Sequence, residues 1–232
     1  MKDIPISKRL KTVASYIPKG STLADIGSDH AYLPCYAYFK GLINKAVAGE
    51  VNEGPLRSAR ETIEKYGLSS HITARLGDGL SVIEKGEVNV ITIAGMGGEL
   101  IRHILENGKA RLTGETKLIL QPNVAESHVR TWLMDEGWTI AEEVILEEDG
   151  HIYEIIAADQ LEKKAAYSEF ELMFGPKLLH QKNDVFLKKW QSELKKRERV
   201  LQSLRHASPD NNVAERKNAI EAEMNRIKEV LS

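Results

Sequence analysis

Short apolar runs and helical patterns alternate along the first two-thirds of the chain. Strand-like runs fall at 22–26, 46–50, 72–76, 88–94 and 117–120, and patterns with apolar residues three and four apart follow most of them, at 31–40, 55–66, 99–107 and 125–135. This alternation predicts βα units and a parallel sheet, preceded by an amphipathic helix over 6–16 that Pro18-Lys19-Gly20 closes. Each strand run ends near a Gly, Asp or Asn, at the edge where open parallel sheets hold their ligands. The rhythm then changes. Runs at 138–146 and 152–157 have only Glu148-Asp149-Gly150 between them, and Asp-Gly between two β-rich runs predicts a hairpin. From about residue 165 the chain turns helical and charged. Leu187, Trp190, Leu194, Arg197, Leu201 and Leu204 step by three and four residues, and a second seam runs through Val213, Lys217, Ile220, Met224, Ile227 and Leu231. The break at Ser208-Pro209-Asp210-Asn211-Asn212 predicts two helices that fold back as an antiparallel pair. The expected organisation is an α/β domain over 1–162, its parallel sheet ending in an antiparallel hairpin, and a C-terminal α-helical coiled-coil hairpin over 163–232.

The length of 232 residues suffices for one full core and an appendage. Apolar runs such as Leu118-Ile119-Leu120 fall far short of the ~18 residues of a membrane span, and the N-terminus shows no secretory pattern. A cytoplasmic location without a membrane partner is therefore expected. Cys35, the single cysteine, lies among Tyr32, Leu33, Tyr36, Ala37 and Phe39 and reads as a small buried apolar side chain rather than a nucleophile. Seven scattered histidines lack the paired spacing of a metal site, so no metal is expected. The net charge of −2 conceals a division: 17 basic against 24 acidic residues in 1–162, 11 against 5 in 163–205, and 4 against 5 in 206–232. The basic segment carries Lys188, Lys189, Lys195, Lys196, Arg197 and Arg199 on one helix. By sequence alone a solvated face is the simpler account, with phosphate tracking as the alternative. Lys8, Arg9 and Lys11 on the opening helix form a smaller cluster, read mainly as solvated surface, with contact to RNA as the alternative.

Candidate chemistry concentrates at the strand ends. The first strand runs into Asp25, then Gly27, Ser28, Asp29 and His30, an acidic glycine turn before a helix. Asp29 and Ala31 stand where a dinucleotide-binding turn carries its later glycines, and acidic side chains repel a pyrophosphate. The same turn suits a cofactor with a positive sulfonium and an amine, namely S-adenosylmethionine. Glu50, with Val51 and Asn52, ends the second strand, where a carboxylate accepts both hydroxyls of a ribose. Asp78, beside Gly79, either accepts an adenine amino group or forms an Asx-type turn. Ala94, Gly95 and Met96 open a glycine-dense loop suited to a thioether and an entering base. Gln121 and Asn123 either hold the edge of a base or make a simple turn.

The runs DIGSDHAYLP at 25–34, GEV at 49–51, GDG at 77–79, IAGMGG at 93–98 and QPN at 121–123, together with the helical tail, resemble the bacterial tRNA (adenine-22, N1)-methyltransferase family over nearly the whole chain. The resemblance implies a Rossmann-like class I methyltransferase sheet, S-adenosylmethionine as cofactor, tRNA as partner, and transfer of a methyl group to N1 of adenine 22 in the D-arm region. The residues alone reach only a methyltransferase. The resemblance also turns the basic helix from a solvated face into an RNA-binding one. Neutral adenine N1 already carries a lone pair, so positioning supplies most of the catalysis, and the base must be unpaired or flipped out. On that footing Gln121 or Asn123 holds the adenine edge, Tyr32 packs against cofactor or base, and His30 or Asp29 tunes the local charge. Helix-start packing remains an equal account of Tyr32 and His30. A monomer is expected over a dimer. The leading alternative is a small-molecule methyltransferase with a dimerising tail; an NAD-dependent oxidoreductase and a non-catalytic coiled-coil module stand further off.

Overall fold

A computed structural model describes residues 4–161, 165–204 and 211–232, with the side chains of Asn211 and Asn212 outside the description. The chain divides into two compact units, Met1–Lys177 and Leu178–Ser232.

In the first unit, helix α1 (Lys8–Ser15) is followed by five βα steps: β1 (Ser21–Ile26), α2 (Tyr32–Phe39), β2 (Ile43–Glu50), α3 (Glu53–Tyr66), β3 (Ile72–Leu76), a 3-10 turn at Gly79–Val82, β4 (Val90–Met96), α4 (Gly98–Gly108), β5 (Lys117–Pro122) and α5 (Glu126–Asp135). Strands β6 (Thr139–Glu148) and β7 (His151–Asp159) follow, then the short helix α6 (Glu169–Phe174). The seven strands lie in the order β3-β2-β1-β4-β5-β7-β6. The first five are parallel, while β7 runs antiparallel to both β5 and β6. The central strands are buried on both faces, which is why they read as continuous apolar runs. One face packs against α4 and α5 through Ile101, Leu105, Val129 and Leu133, the other against α1, α2 and α3 through Val13, Leu33, Ala37 and Ile63. Asp149 and Gly150 both take left-handed backbone (φ 51° and 76°), as a two-residue hairpin turn requires.

Behind α5 sits a buried ion network. Arg130 is fully buried; its Nε donates to Glu143 at 2.6 Å and its Nη2 to Glu154, both carboxylates being buried as well. Nη1 reaches the carbonyls of Leu172 and Met173 in the last turn of α6, and Glu143 accepts the Lys177 N–H at 2.8 Å. A Cβ on Gly175 would meet Arg130 Nη2 at 2.8 Å, so glycine lets the backbone close over the network. Although burial opposes its charge, the two glutamates raise the Arg130 pKa further. These bonds tie residues 172–177 to the first unit. The boundary expected between 162 and 163 lies outside the described residues, and the division at 177/178 places α6 with the sheet.

The second unit holds α7 (Leu178–Gln181), α8 (Asp184–Leu204) and α9 (Asn211–Leu231). Helices α8 and α9 pack together, each 21 residues and therefore ~31 Å long. Arg197 of α8 pairs with Glu223 of α9 at 2.7 Å. Trp190, Met224, Ile227 and Val230 are buried. Part of the expected break, 208–210, lies outside the described residues; Asn211 and Asn212 already belong to α9.

Candidate functional site

The carboxyl ends of the five parallel strands form one edge, along which the chemistry-bearing residues follow the spatial order of the strands. At ~4.8 Å between neighbours the edge spans ~19 Å from β3 to β5. Asp78 lies beyond β3, Glu50 at the end of β2, Asp25 near the end of β1, Gly95 and Met96 on β4, and Asn123 just past β5.

The acidic half is built around the turn after β1. Asp25 is 4 % exposed and both its oxygens are engaged, Oδ1 by the Thr92 hydroxyl at 2.6 Å and Oδ2 by the Ser28 hydroxyl at 2.5 Å. Asp25 and Thr92 are register partners on adjacent strands, so this contact is set by the sheet. Glu50, 6 % exposed, accepts the Asp29 N–H. Gly27, Asp29 and Ala31 all have positive φ, and the Gly27 and Ser28 amides both donate to the Gly49 carbonyl, folding the turn over the end of β2. A Cβ on Gly27 would meet the Met96 methyl and push it aside, and the φ of +69° is one that a residue with a side chain rarely adopts.

Burial pushes the Asp25 carboxyl above its ordinary pKa, and the Ser28 and Thr92 hydroxyls offset part of the rise. Burial likewise raises Glu50; the Asp29 amide opposes it, the Asp25 and Asp29 charges add to it, and His30 subtracts. Two carboxylates held in this way favour a cationic ligand, whose charge restores what desolvation takes away. S-adenosylmethionine fits that electrostatic demand.

Asp78 precedes the 3-10 turn without capping it through its side chain, against the Asx-turn account. Asn52 begins α3 equally without a side-chain cap. Beside them Val51 is 61 % and Leu76 49 % exposed, two large apolar side chains open at the tips of β2 and β3. His30 stacks on Tyr32 with ring centroids 5.3 Å apart, at the entrance to α2. Cys35 is buried and its thiol is pushed up to about 12 by burial, as expected of an inert core side chain.

The neutral half is an amide network. Gln121 is fully buried: its Oε1 accepts from the Gly95 amide at 3.0 Å and from Arg9, and its Nε2 donates to the Pro122 carbonyl at 3.0 Å and to Asn123 Oδ1 at 2.9 Å. This corrects the expectation that Gln121 offers its amide to a base, since every part of that amide is engaged inside the protein. Asn123 is exposed, donating from Nδ2 to the Gly95 carbonyl at 2.8 Å. Gly98 packs so closely under the 124–125 backbone that a Cβ would overlap the Ala125 carbonyl. The exposed apolar side chains Leu100 and Val124 flank this end.

Sequence reasoning missed Thr92, whose signal was a lone hydroxyl in an apolar strand beside Asp25. It also misread Arg9 as solvated. Arg9 is half-buried, stacks 5.2 Å over the Tyr153 ring and donates to Gln121. Of the basic residues on α8, Lys195 and Arg199 are exposed, Lys196 pairs with Glu193 at 2.7 Å, and Lys189 lies 5.3 Å over the Trp190 ring. Arg197 bridges Glu193 at 2.6 Å and Glu223 of α9 at 2.7 Å, so its charge is taken up within the helix pair rather than offered to phosphates. Among the described residues no helix is long and apolar enough to cross a membrane, and no group of three or more His, Cys, Asp or Glu side chains is arranged to hold a metal.

The family model described as tRNA (adenine(22)-N(1))-methyltransferase matches residues 23–229. A Bacillus subtilis relative of that name is 48 % identical, with 100 % of this chain and 99 % of the relative aligned. The crystal structure of the Bacillus subtilis M1A22 tRNA methyltransferase superposes with a TM-score of 0.94, at 46 % identity over 99 % of this chain and 100 % of that one. A Streptococcus pneumoniae structure solved in complex with S-adenosyl-L-methionine has a TM-score of 0.89, at 43 % identity over 98 % of this chain and 100 % of that one. Sequence, fold and the acidic strand tips agree, and the chain belongs to the tRNA (adenine(22)-N(1))-methyltransferase family.

Proposed function

We propose that this chain transfers a methyl group from S-adenosylmethionine to N1 of adenine 22 in the D-arm region of a tRNA, in the cytoplasm. The observation that carries the reading is the match to the family from residue 23 to 229, which spans both the sheet with its acidic tips and the helical pair. Bound S-adenosylmethionine supplies an electrophilic methyl group on a sulfonium. Asp25 and Glu50 provide the negative field that holds this cation, with Gly27, Ser28, Asp29 and His30 forming the turn around it. Glu50, Asn52 and Asp78 are the polar groups for its ribose and base, while Val51 and Leu76 offer apolar surface alongside. Gly79, Ala94, Gly95 and Met96 shape the floor.

The acceptor adenine enters where Asn123 stands exposed beside the β4 loop, and Tyr32, stacked on His30, packs against cofactor or base. Adenine N1 needs no general base to attack, so the work of these residues is orientation and exclusion of water. On α8, Lys188, Lys189, Lys195, Lys196 and Arg199 are the side chains for tRNA phosphates. The test is incubation with labelled S-adenosylmethionine and unmodified tRNA, followed by nucleoside mapping. N1-methyladenosine confined to position 22 is expected; label in small molecules but not in tRNA would overturn the reading.

A further inference from the structure

Four polar side chains and one loop connect the opening helix to the acceptor end of the site. The Glu148 carboxylate, at the end of β6, accepts the backbone N–H groups of Lys8 and Arg9 at the start of α1, and Ser7 Oγ accepts the Leu10 N–H at 3.1 Å. A carboxylate on the free amides of a helix N-terminus is a favourable cap. Burial opposes its charge, but those amides and the adjoining basic side chains hold Glu148 below the ordinary carboxylate range. So anchored, α1 directs Arg9 inward across the Tyr153 ring, its guanidinium carbon 5.2 Å from the ring centre. The Arg9 Nη1 atom donates to Gln121 Oε1 and lies 3.5 Å from where a Cβ on Gly95 would stand.

A guanidinium donates hydrogen bonds and accepts none. Arg9 therefore admits only the oxygen end of the Gln121 amide, as does the Gly95 N–H, 3.0 Å from the same oxygen; the nitrogen end donates to the Pro122 carbonyl at 3.0 Å and to Asn123 Oδ1 at 2.9 Å. The Asn123 nitrogen in turn donates to the Gly95 carbonyl at 2.8 Å, so Arg9 adds a charged donor to an orientation that the backbone also favours. The ring closes on itself, and Asn123 is its one exposed side-chain amide.

We infer that Arg9 is a positioning residue for methyl transfer: through the buried Gln121 amide it holds firm the direction in which Asn123 and the Gly95 loop face the incoming base. Arg9 touches neither cofactor nor base in this role, and the inference rests on the reading that Asn123 lies at the acceptor site. Charge makes the arrangement firm, since hydrogen bonds to an ionised donor are roughly twice as strong as neutral ones. Gln121, being buried, has no water to exchange for a lost partner.

The first readout needs no cofactor or RNA. In 15N-labelled protein, exchange of the Asn123 and Gln121 side-chain amide hydrogens is measured by NMR in the wild type, Arg9→Met and Arg9→Lys. Met keeps the apolar stem over Tyr153 and removes the donor; Lys keeps the charge without the fork. At least tenfold faster exchange is expected in Arg9→Met, with Arg9→Lys between; unchanged exchange in both overturns the inference. The second readout is turnover on unmodified tRNA for Arg9→Met, Asn123→Ala and the double variant. Arg9→Met is expected to lose roughly 10- to 100-fold in kcat while holding S-adenosylmethionine within twofold of wild type. The double variant is expected to be no slower than the slower single one. A double loss equal to the product of the singles shows Arg9 acting independently, for instance on a phosphate, and sinks the proposal. If Asn123→Ala keeps wild-type turnover, the assignment of Asn123 to the acceptor site fails instead, an outcome separable because the exchange experiment reports on the network directly. Should Arg9→Met not fold, Arg9→Lys decides: wild-type kcat and wild-type exchange in it refute the inference.

Discussion

Replacing Arg130 by Met removes the cation from a network in which all three side chains are buried. The substitution takes the guanidinium away from two buried carboxylates, Glu143 and Glu154, and from two α6 carbonyls. Breaking a buried ion pair from one side costs ~3–5 kcal/mol, because the surviving charge keeps its desolvation penalty. For a unit of this size 1 kcal/mol corresponds to ~2–4 °C in Tm, which puts the expected drop at ~6–20 °C. The assay is thermal unfolding by calorimetry at pH 7. Adding Glu154→Gln to Arg130→Met should recover part of the loss, because one buried charge is gone. A drop below ~1 kcal/mol, or a gap that ignores the second substitution, would refute the view that the network's charges, rather than its volume, hold this region.

Other outcomes follow from the site. Glu50→Gln should weaken S-adenosylmethionine binding about 10- to 100-fold by calorimetry, since charge-assisted hydrogen bonds contribute ~1.5–3 kcal/mol. Asp25 and Glu50 have folded pKa values raised above the unfolded ones, so their contribution to stability is present below the unfolded values of ~3.9 and ~4.3 and is lost as pH rises through the folded values. The ligand-free Glu50→Gln protein should therefore melt no lower than wild type at neutral pH, and donor affinity of the wild type should fall on acidification before an ordinary carboxylate would titrate; a flat affinity profile down to pH 4 would contradict this. Gly27→Ala places a Cβ against the Met96 methyl at a φ of +69°, and should cost ~1–3 kcal/mol of stability together with donor binding. Lys195→Glu with Arg199→Glu should reduce tRNA affinity and flatten its salt dependence while leaving donor binding unchanged; an unaltered salt slope would remove these side chains from the RNA footprint.

Which parts of the molecule could be read from one dimension follows from where each signal resides. The parallel strands announced themselves because burial on both faces leaves unbroken apolar runs, and their acidic or glycine ends marked the binding edge. Strand β2 begins three residues before the expected 46, since the exposed Asn44 and Lys45 interrupt its run. The insertion of β7 between β5 and β6 left no local trace, as it depends on pairing between Lys117 and Asp159, far apart in sequence. Arg130 looked like any helix residue until Glu143 and Glu154 on the hairpin closed around it. The same limit hid Arg9, whose partners lie 112 residues away or more, and exposed the ambiguity of Arg197, a seam position and a basic residue at once.

The strand order carries a consequence for synthesis. Strand β6 pairs with β7 alone, and β7 is the neighbour that covers the outer edge of β5. A nascent chain that has emerged only as far as residue 148 therefore holds a strand with a largely buried, apolar centre, Leu118-Ile119-Leu120, with one bare flank, and a second strand with no place to dock. Both find their partner in a single event, when the last eleven residues of the hairpin clear the ribosome. Stalling within that short window leaves an adhesive edge uncovered, and it is there that a slow codon or a truncated message would most readily turn this chain toward aggregation.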